Sequence, residues 1–407
     1  MYFSWLKPLS QSLNQKKKNL YWLNFALFFR QIAIKLSGFY LPIFLYQMAP
    51  EVELMKKYLS DRSSLQQGMI LVALFFVLER LTIIIFSIPV GKLTRKIGHA
   101  RTFVLGDLIF ALLVLAMIYF DQHQIFIFIS TILSGLKSCF FWQSYRTLLD
   151  RNVNRRKLGR AMGLKVILSN FVAMLSPAIG GLIIKYSSYD YIFYLSLVFL
   201  LVAVYGHLNL KLRQELDAIG WKEYFSWLKE NSFRQLFLSQ SGRLFNSMAL
   251  MLWPLYVFLL MGDIGTVGII YSLSLFISIV MNFFIGGALD KNHKNKTPFV
   301  ISGAIISIMT ILKIWVSQIW NVVVMDSLDR MVGNYHWLVF DRMIMARGKG
   351  SQAFSYFVYR MINQSISGLI FWLFFLTFFL VFSFGWTGVF VLGSIGAMLS
   401  LLIDEKK

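Results

Sequence analysis

Charged residues stand inside long apolar stretches of this sequence: Arg30, Lys35, Glu79, Arg80, Lys137, Arg146, Arg243, Asp326, Asp329, Arg330 and Arg360, with His336 among them. A charge at the centre of a bilayer costs ~2.5–3.5 kcal/mol on insertion scales, so such residues are functional candidates by default. Basic groups meeting in a central cavity suit an anionic or polar solute, because the planar guanidinium fork matches carboxylate and phosphate. On that chemistry Arg30, Lys35, Lys137, Arg146, Arg243 and Arg360 are candidate solute-binding residues, with Trp142, Trp337 and Tyr359 as aromatic lining. Glu79, Asp326 and Asp329 are candidate proton carriers. The competing reading is structural. It pairs Asp329 with Arg360 and Arg146 with Asp150, lets basic side chains near span ends reach for the interface, and gives the aromatics to packing.

The elements that must position these groups follow from composition. Of 407 residues, 57% are apolar and 14% charged, with a mean hydropathy of +0.63. Soluble proteins carry about 45–50% and about 25%, so a soluble enzyme, a disordered chain and a fibrous chain are excluded. Apolar segments near 20–47, 67–90, 101–119, 124–147, 162–185 and 190–208 predict six spanning helices. Segments near 235–260, 266–289, 297–316, 319–341, 353–380 and 385–403 predict six more. Each has the roughly 20 residues a bilayer core demands. Arg30 falls roughly 15 Å into its segment at the helical rise, and Lys35 about 7 Å deeper.

Alternate connections collect the basic residues, among them Lys16 to Lys18, Lys92 to Arg101, Arg151 to Arg160 and Lys291 to Lys296. The other set holds only Lys56, Lys57, Arg62 and Lys185. The positive-inside rule therefore predicts both termini in the cytoplasm of a multi-pass protein of a bacterial cytoplasmic membrane. The net charge of +21 suits anionic lipid headgroups, not nucleic acid. Cys139 is the lone cysteine, the five histidines lack metal-ligand spacing, and no Gly-rich nucleotide loop is present. No cofactor, metal site or catalytic residue is expected. The N-terminal segment lacks a small-residue cleavage site and is read as an uncleaved first span.

The chain divides into residues 1–208, a linker at 209–234 and residues 235–407. In the linker, Trp221-Lys-Glu-Tyr-Phe-Ser-Trp227 alternates aromatics with charges, as suits a helix lying among headgroups. The halves echo each other. Arg30 precedes Pro42 much as Arg243 precedes Pro254, and Trp142 with Arg146 matches Trp337 with Arg342.

This pattern resembles the major facilitator superfamily of transporters. The family signature, Gly-x-x-x-Asp-(Arg/Lys)-x-Gly-(Arg/Lys)-(Arg/Lys), is similar to Gly91-Lys-Leu-Thr-Arg95-Lys96-Ile-Gly98, except that Arg95 takes the acidic position. The second copy, Gly286-Gly-Ala-Leu-Asp290-Lys291, keeps the acid and loses the second glycine. In the family this loop steadies one state of a rocking cycle. Ser176-Pro177-Ala-Ile-Gly180-Gly181 is similar to the Pro-x-x-Gly-Gly core of family exporters, which favours export, while the drug–proton antiporter element of the fourth span is absent. Proline and small residues there also allow close helix packing.

The resemblance implies an all-α membrane protein with twelve transmembrane helices in two pseudo-symmetric six-helix bundles. It implies a monomeric secondary transporter working by alternating access on a small organic solute, with a coupling proton. Multidrug efflux, a lipid or amphiphile flippase, and a non-transporting membrane sensor are the rival readings.

Overall fold

The computed structural model describes residues 6–120, 123–152, 155–211, 216–289, 296–348, 352–382 and 385–403; within 6–17, 149–169 and 281–289 almost only the backbone is described. The chain is helical: α1 (Leu6–Phe39), α2 (Leu41–Met48), α3 (Glu53–Tyr58), α4 (Ser64–Ile97), α5 (His99–Ile118), α6 (Ile125–Asn152), α7 (Arg155–Tyr186) and α8 (Tyr189–Leu208). A short α9 (Trp221–Leu228) precedes α10 (Asn231–Met261), α11 (Ile264–Leu289), α12 (Thr297–Leu312), α13 (Ile319–Arg347), α14 (Ala353–Leu380) and α15 (Gly385–Ser400). Every predicted segment coincides with a helix, the first being split into α1 and α2. Among the described residues eight helices are long and apolar enough to cross a membrane, and three shorter apolar stretches, Asn170–Tyr186, Ile264–Val280 and Gly385–Ser400, join them. The remaining segment is α13, whose Asp326, Asp329, Arg330 and Asp341 set it apart from its apolar neighbours.

Local chemistry sets the breaks. Pro42 at the start of α2 lacks the N–H that would continue α1. Gly98, at φ +82°, turns α4 into α5, and Gly262, at φ +71°, caps α10; both need the left-handed region that glycine enters freely. Ser63 caps α4 by accepting from the Gln66 N–H at 3.3 Å.

In the first bundle α1 packs on α7 and α8, α5 on α6 and α8, and α4 on α6; in the second α10 and α12 pack on α15, α11 and α12 on α13. Small residues allow the closest approaches. A Cβ on Gly242 would lie 2.5 Å from the Gly396 carbonyl, and one on Gly393 2.6 Å from Ala249. The bundles meet chiefly where α4 packs on α14 and α7 on α11, and also where α6 packs on α14. Asn19 bonding Lys211 and Gln235 bonding Leu402 put the connections rich in Lys and Arg at one end, here the basic end, and Lys185 and Asp263 at the other, the far end.

Candidate functional site: a shared arginine cluster between the bundles

Three of the predicted basic residues converge. Arg243 of α10 places Nη1 3.0 Å from Asp341 Oδ1, and Arg360 of α14 places Nη2 3.8 Å from the same oxygen. Arg146 of α6 donates to Gln364 Oε1 of α14 at 3.3 Å and lies within Coulombic reach of Asp341, Arg243 and Arg360. The cluster thus draws on both bundles. Arg360 and Asp341 sit about 10 Å inside the basic ends of their helices, counting residues at the helical rise. Trp142 and Trp337, both predicted as lining, flank it: Arg146 lies over the Trp142 ring at 5.7 Å and Arg243 over Trp337 at 5.0 Å. Three guanidiniums facing one carboxylate leave the site net positive and short of acceptors; Arg360 Nε has no hydrogen-bond partner.

The other predicted residues occupy different places. Arg30 is buried in the first bundle, paired with Asp107 of α5, whose second oxygen lies 2.6 Å from His207 Nδ1 of α8. Its guanidinium also lies over the Phe141 ring at 3.9 Å. Lys137 sits over the Phe110 ring at 4.4 Å, and Glu79 accepts from Ser134 Oγ at 2.7 Å, with Arg80 3.4 Å from its other oxygen. Lys35 faces Arg330 across the bundles. Asp326 is held by Arg330 at 2.6 Å. The structural pairing expected for Asp329 is corrected: its partner is the buried Lys313, and Arg360 turns to Asp341, because the last turns of α13 and the first of α14 meet at the basic end. The Asp150 side chain, the expected partner of Arg146, lies outside the described residues.

At the far end α7 and α11 form a close seam. Tyr40 donates to the Pro177 carbonyl, and a Cβ on Gly268 would lie 2.2 Å from that oxygen. Cβ atoms on Gly180 and Gly181 would each lie 2.7 Å from the Tyr40 ring or its hydroxyl. The Ala178 N–H donates to Ser272 Oγ at 2.9 Å, and Lys185 pairs with Asp263 at 3.2 Å. A cavity of about 400 Å³ opens nearby between Phe44, Gln47, Tyr189 and Ile264, remote from the arginine cluster.

At the basic end the linker does the joining. Arg95 donates to the Leu216 carbonyl at 3.2 Å, and Ile219 lies against Gly91, where a Cβ would come within 2.3 Å of it. Asp217 accepts from the Phe354 and Ser355 N–H groups at 3.3 and 2.7 Å, capping the first turn of α14. The Gly220 N–H donates to the Tyr359 hydroxyl at 3.1 Å, and Tyr224 donates to Asn363 at 2.7 Å. Burial pushes the Tyr224 hydroxyl up to about 12, so it stays a donor. Tyr359, expected in a cavity, lies under the linker, while α9, expected among headgroups, turns Tyr224 onto α14 and leaves Trp221 and Phe225 exposed. Lys96 is exposed. Gly286 lies in α11 beyond the described side chains, and Asp290 and Lys291 lie outside the described residues.

Residues 23–328 match the family model of the Major Facilitator Superfamily. The chain belongs to the major facilitator superfamily. Its fold is similar to that of the fucose:proton symporter FucP of E. coli, with a TM-score of 0.62 and 13% identity over 93% of this chain and 96% of that one. It is also similar to the human organic anion transporter MFSD10, with a TM-score of 0.69 and 10% identity over 94% of this chain and 99% of that one. No curated protein matches the sequence. For this superfamily member, residue types alone marked the arginines and tryptophans of the cluster. Asp341, Asp107, Lys313 and Asp217 were missed. Asp107 carried a legible signal as an acid in the middle of the third apolar segment. Asp341 stands at a segment end and Asp217 in the linker, where an acid reads as solvated.

Proposed function

We propose that the chain is a secondary transporter that moves a small organic anion across the membrane by alternating access between residues 1–208 and 235–407, with 209–234 as the connecting segment. Carrying this reading is the cluster in which Arg146, Arg243 and Arg360 share one acid between the two bundles. A permanent positive excess, short of acceptors and flanked by Trp142 and Trp337, fits an anion with an aromatic or apolar body. In this reading Lys35 and Lys137 supply further positive potential nearer the middle of the spans, and Arg30 holds α1 against α5 and α8. Glu79, Asp326 and Asp329 keep their proposed part in proton coupling.

The test is thermal unfolding of the purified protein with benzenesulfonate, benzyl alcohol and benzyltrimethylammonium. A ligand that binds the native state raises the melting temperature by mass action. Stabilisation by the anion alone, lost in Arg243→Gln, supports the reading; a response to the cation alone replaces it with efflux of cationic amphiphiles. Hydrolysis of ATP by the purified protein would overturn secondary transport.

A further inference from the structure

The arginine cluster holds an acid that no sequence signal marked. Asp341 offers a single oxygen to two guanidiniums, at 3.0 Å to Arg243 and 3.8 Å to Arg360. The second distance is too long for a good hydrogen bond. Arg243 Nη1 divides itself further by donating to the Trp337 carbonyl at 3.3 Å. The Asp341 side chain is 33% exposed, whereas Arg360 is 4% exposed. The acid therefore stands at the open side of the cluster and its partner at the closed side. A loosely held, accessible carboxylate over one buried and two half-buried guanidiniums has the place that a solute carboxylate or sulfonate would take.

On the reading that the cluster binds an anion, we propose that Asp341 is a built-in occupant of that site. It holds Arg243 and Arg360 while the solute is absent, and yields them to the solute as its own carboxylate takes a proton from solvent hydronium, which leaves as water. No other bond forms or breaks. An entering anion and an ionised Asp341 repel each other at contact distance in a poorly screened space. Protonating Asp341 removes that repulsion and leaves all three guanidinium charges to the solute. Binding of the anion and binding of a proton are then linked, each favouring the other.

The groups facing Asp341 are Arg243 from α10, Arg360 from α14 and Arg146 from α6; Arg342, next to it on α13, is exposed. Tyr356 of α14 lies in the same field and donates to the Ile344 carbonyl at 3.1 Å. His336 faces Arg243 from α13; its ring nitrogens lie 2.9 Å from Ser302 Oγ and 2.9 Å from Ser400 Oγ. His336 is the other titratable group facing Arg243 and needs its own control.

Benzenesulfonate keeps its charge at every working pH, so any pH dependence of its binding belongs to the protein. Calorimetric titration of the full chain in detergent is expected to show Kd falling as pH falls, approaching about tenfold per pH unit where Asp341 is ionised. Asp341→Asn is expected to bind at least about tenfold tighter at the alkaline end, with a flat profile. Asp341→Glu keeps the slope, and so does His336→Gln. A flat wild-type profile, or an Asp341→Asn protein that retains the wild-type slope, overturns the proposal. Should Asp341→Asn not fold, a wild-type slope that Asp341→Glu displaces along the pH axis supports the proposal, and one left in place refutes it. Failure of benzenesulfonate to bind either protein at any pH removes the anion reading itself, and this proposal with it.

Discussion

At the scale of single residues, charges inside this protein do two kinds of work, separated by how fully they are paired. Arg30, Asp107 and His207 are all closed to solvent, and one carboxylate serves two partners from α1 and α8. Removing one partner of a buried pair strands the other and costs about 3–5 kcal/mol. Arg30→Met is therefore expected to lower the melting temperature sharply in detergent, and Arg30→Met combined with Asp107→Asn to recover most of it. A melting temperature unmoved by Arg30→Met would remove the pair from the stability of the first bundle. The neutral counterpart in the second bundle is Asn246 of α10, which donates to Thr310 of α12 and to the Gly393 carbonyl of α15, each at 3.2 Å. Depth and type in the sequence singled out both Arg30 and Arg243, and their spacing to Pro42 and Pro254 suggested like roles. The structure separates them, because a side chain's partner is set by which helix packs beside it, and no local pattern encodes that.

At the scale of elements, the segments themselves were legible because apolar length is what a bilayer selects. Less legible was how they meet. Pro177, Gly180 and Gly181 read equally as an export signature and as packing; the structure brings them against Tyr40 and α11 in the far-end seam. Asp263, between α10 and α11, closes that seam on its surface. Hydrogen bonds from the Thr266 hydroxyl and N–H, at 2.6 and 2.8 Å, with Lys185 nearby, hold its carboxyl below the usual range. A depressed folded value stabilises the closed seam fully above the unfolded value of about 3.9 and loses that contribution as pH falls through the folded value. Labelling of an introduced thiol in Ser272→Cys should thus stay slow at neutral pH and quicken only below the ordinary aspartate range. In Asp263→Asn it should be faster at neutral pH and lack that acid step. An acid step that survives Asp263→Asn belongs to another group.

At the scale of the molecule, Arg95 stands where the family signature has an acid, and an acid of the linker lies beside it. Asp217 caps α14, where a negative charge meets the positive end of the helix dipole. Arg95 holds the adjacent carbonyl. Loss of such a cap costs about 0.5–2 kcal/mol. Asp217→Ala is expected to raise thiol accessibility at the basic end and to leave the far end unchanged, and equal accessibility at both ends would remove the cap from the closing of that end. The linker's other hydrogen bonds, from Gly220 to Tyr359 and from Tyr224 to Asn363, also run to α14, with Arg95 and Gly91 of α4 meeting it from the other side. Lys211, by contrast, is gripped from the first bundle by Asn19 at 2.8 and 3.2 Å. Six residue steps separate Lys211 from Asp217, the first described linker residue bonded to α14, and a fully extended chain spans at most about 3.6 Å per residue. At full stretch that connection spans about 22 Å. While both grips hold, it caps how far the two bundles can part at the basic end. Lengthening it by a few glycines would widen that excursion without touching a single residue of the site.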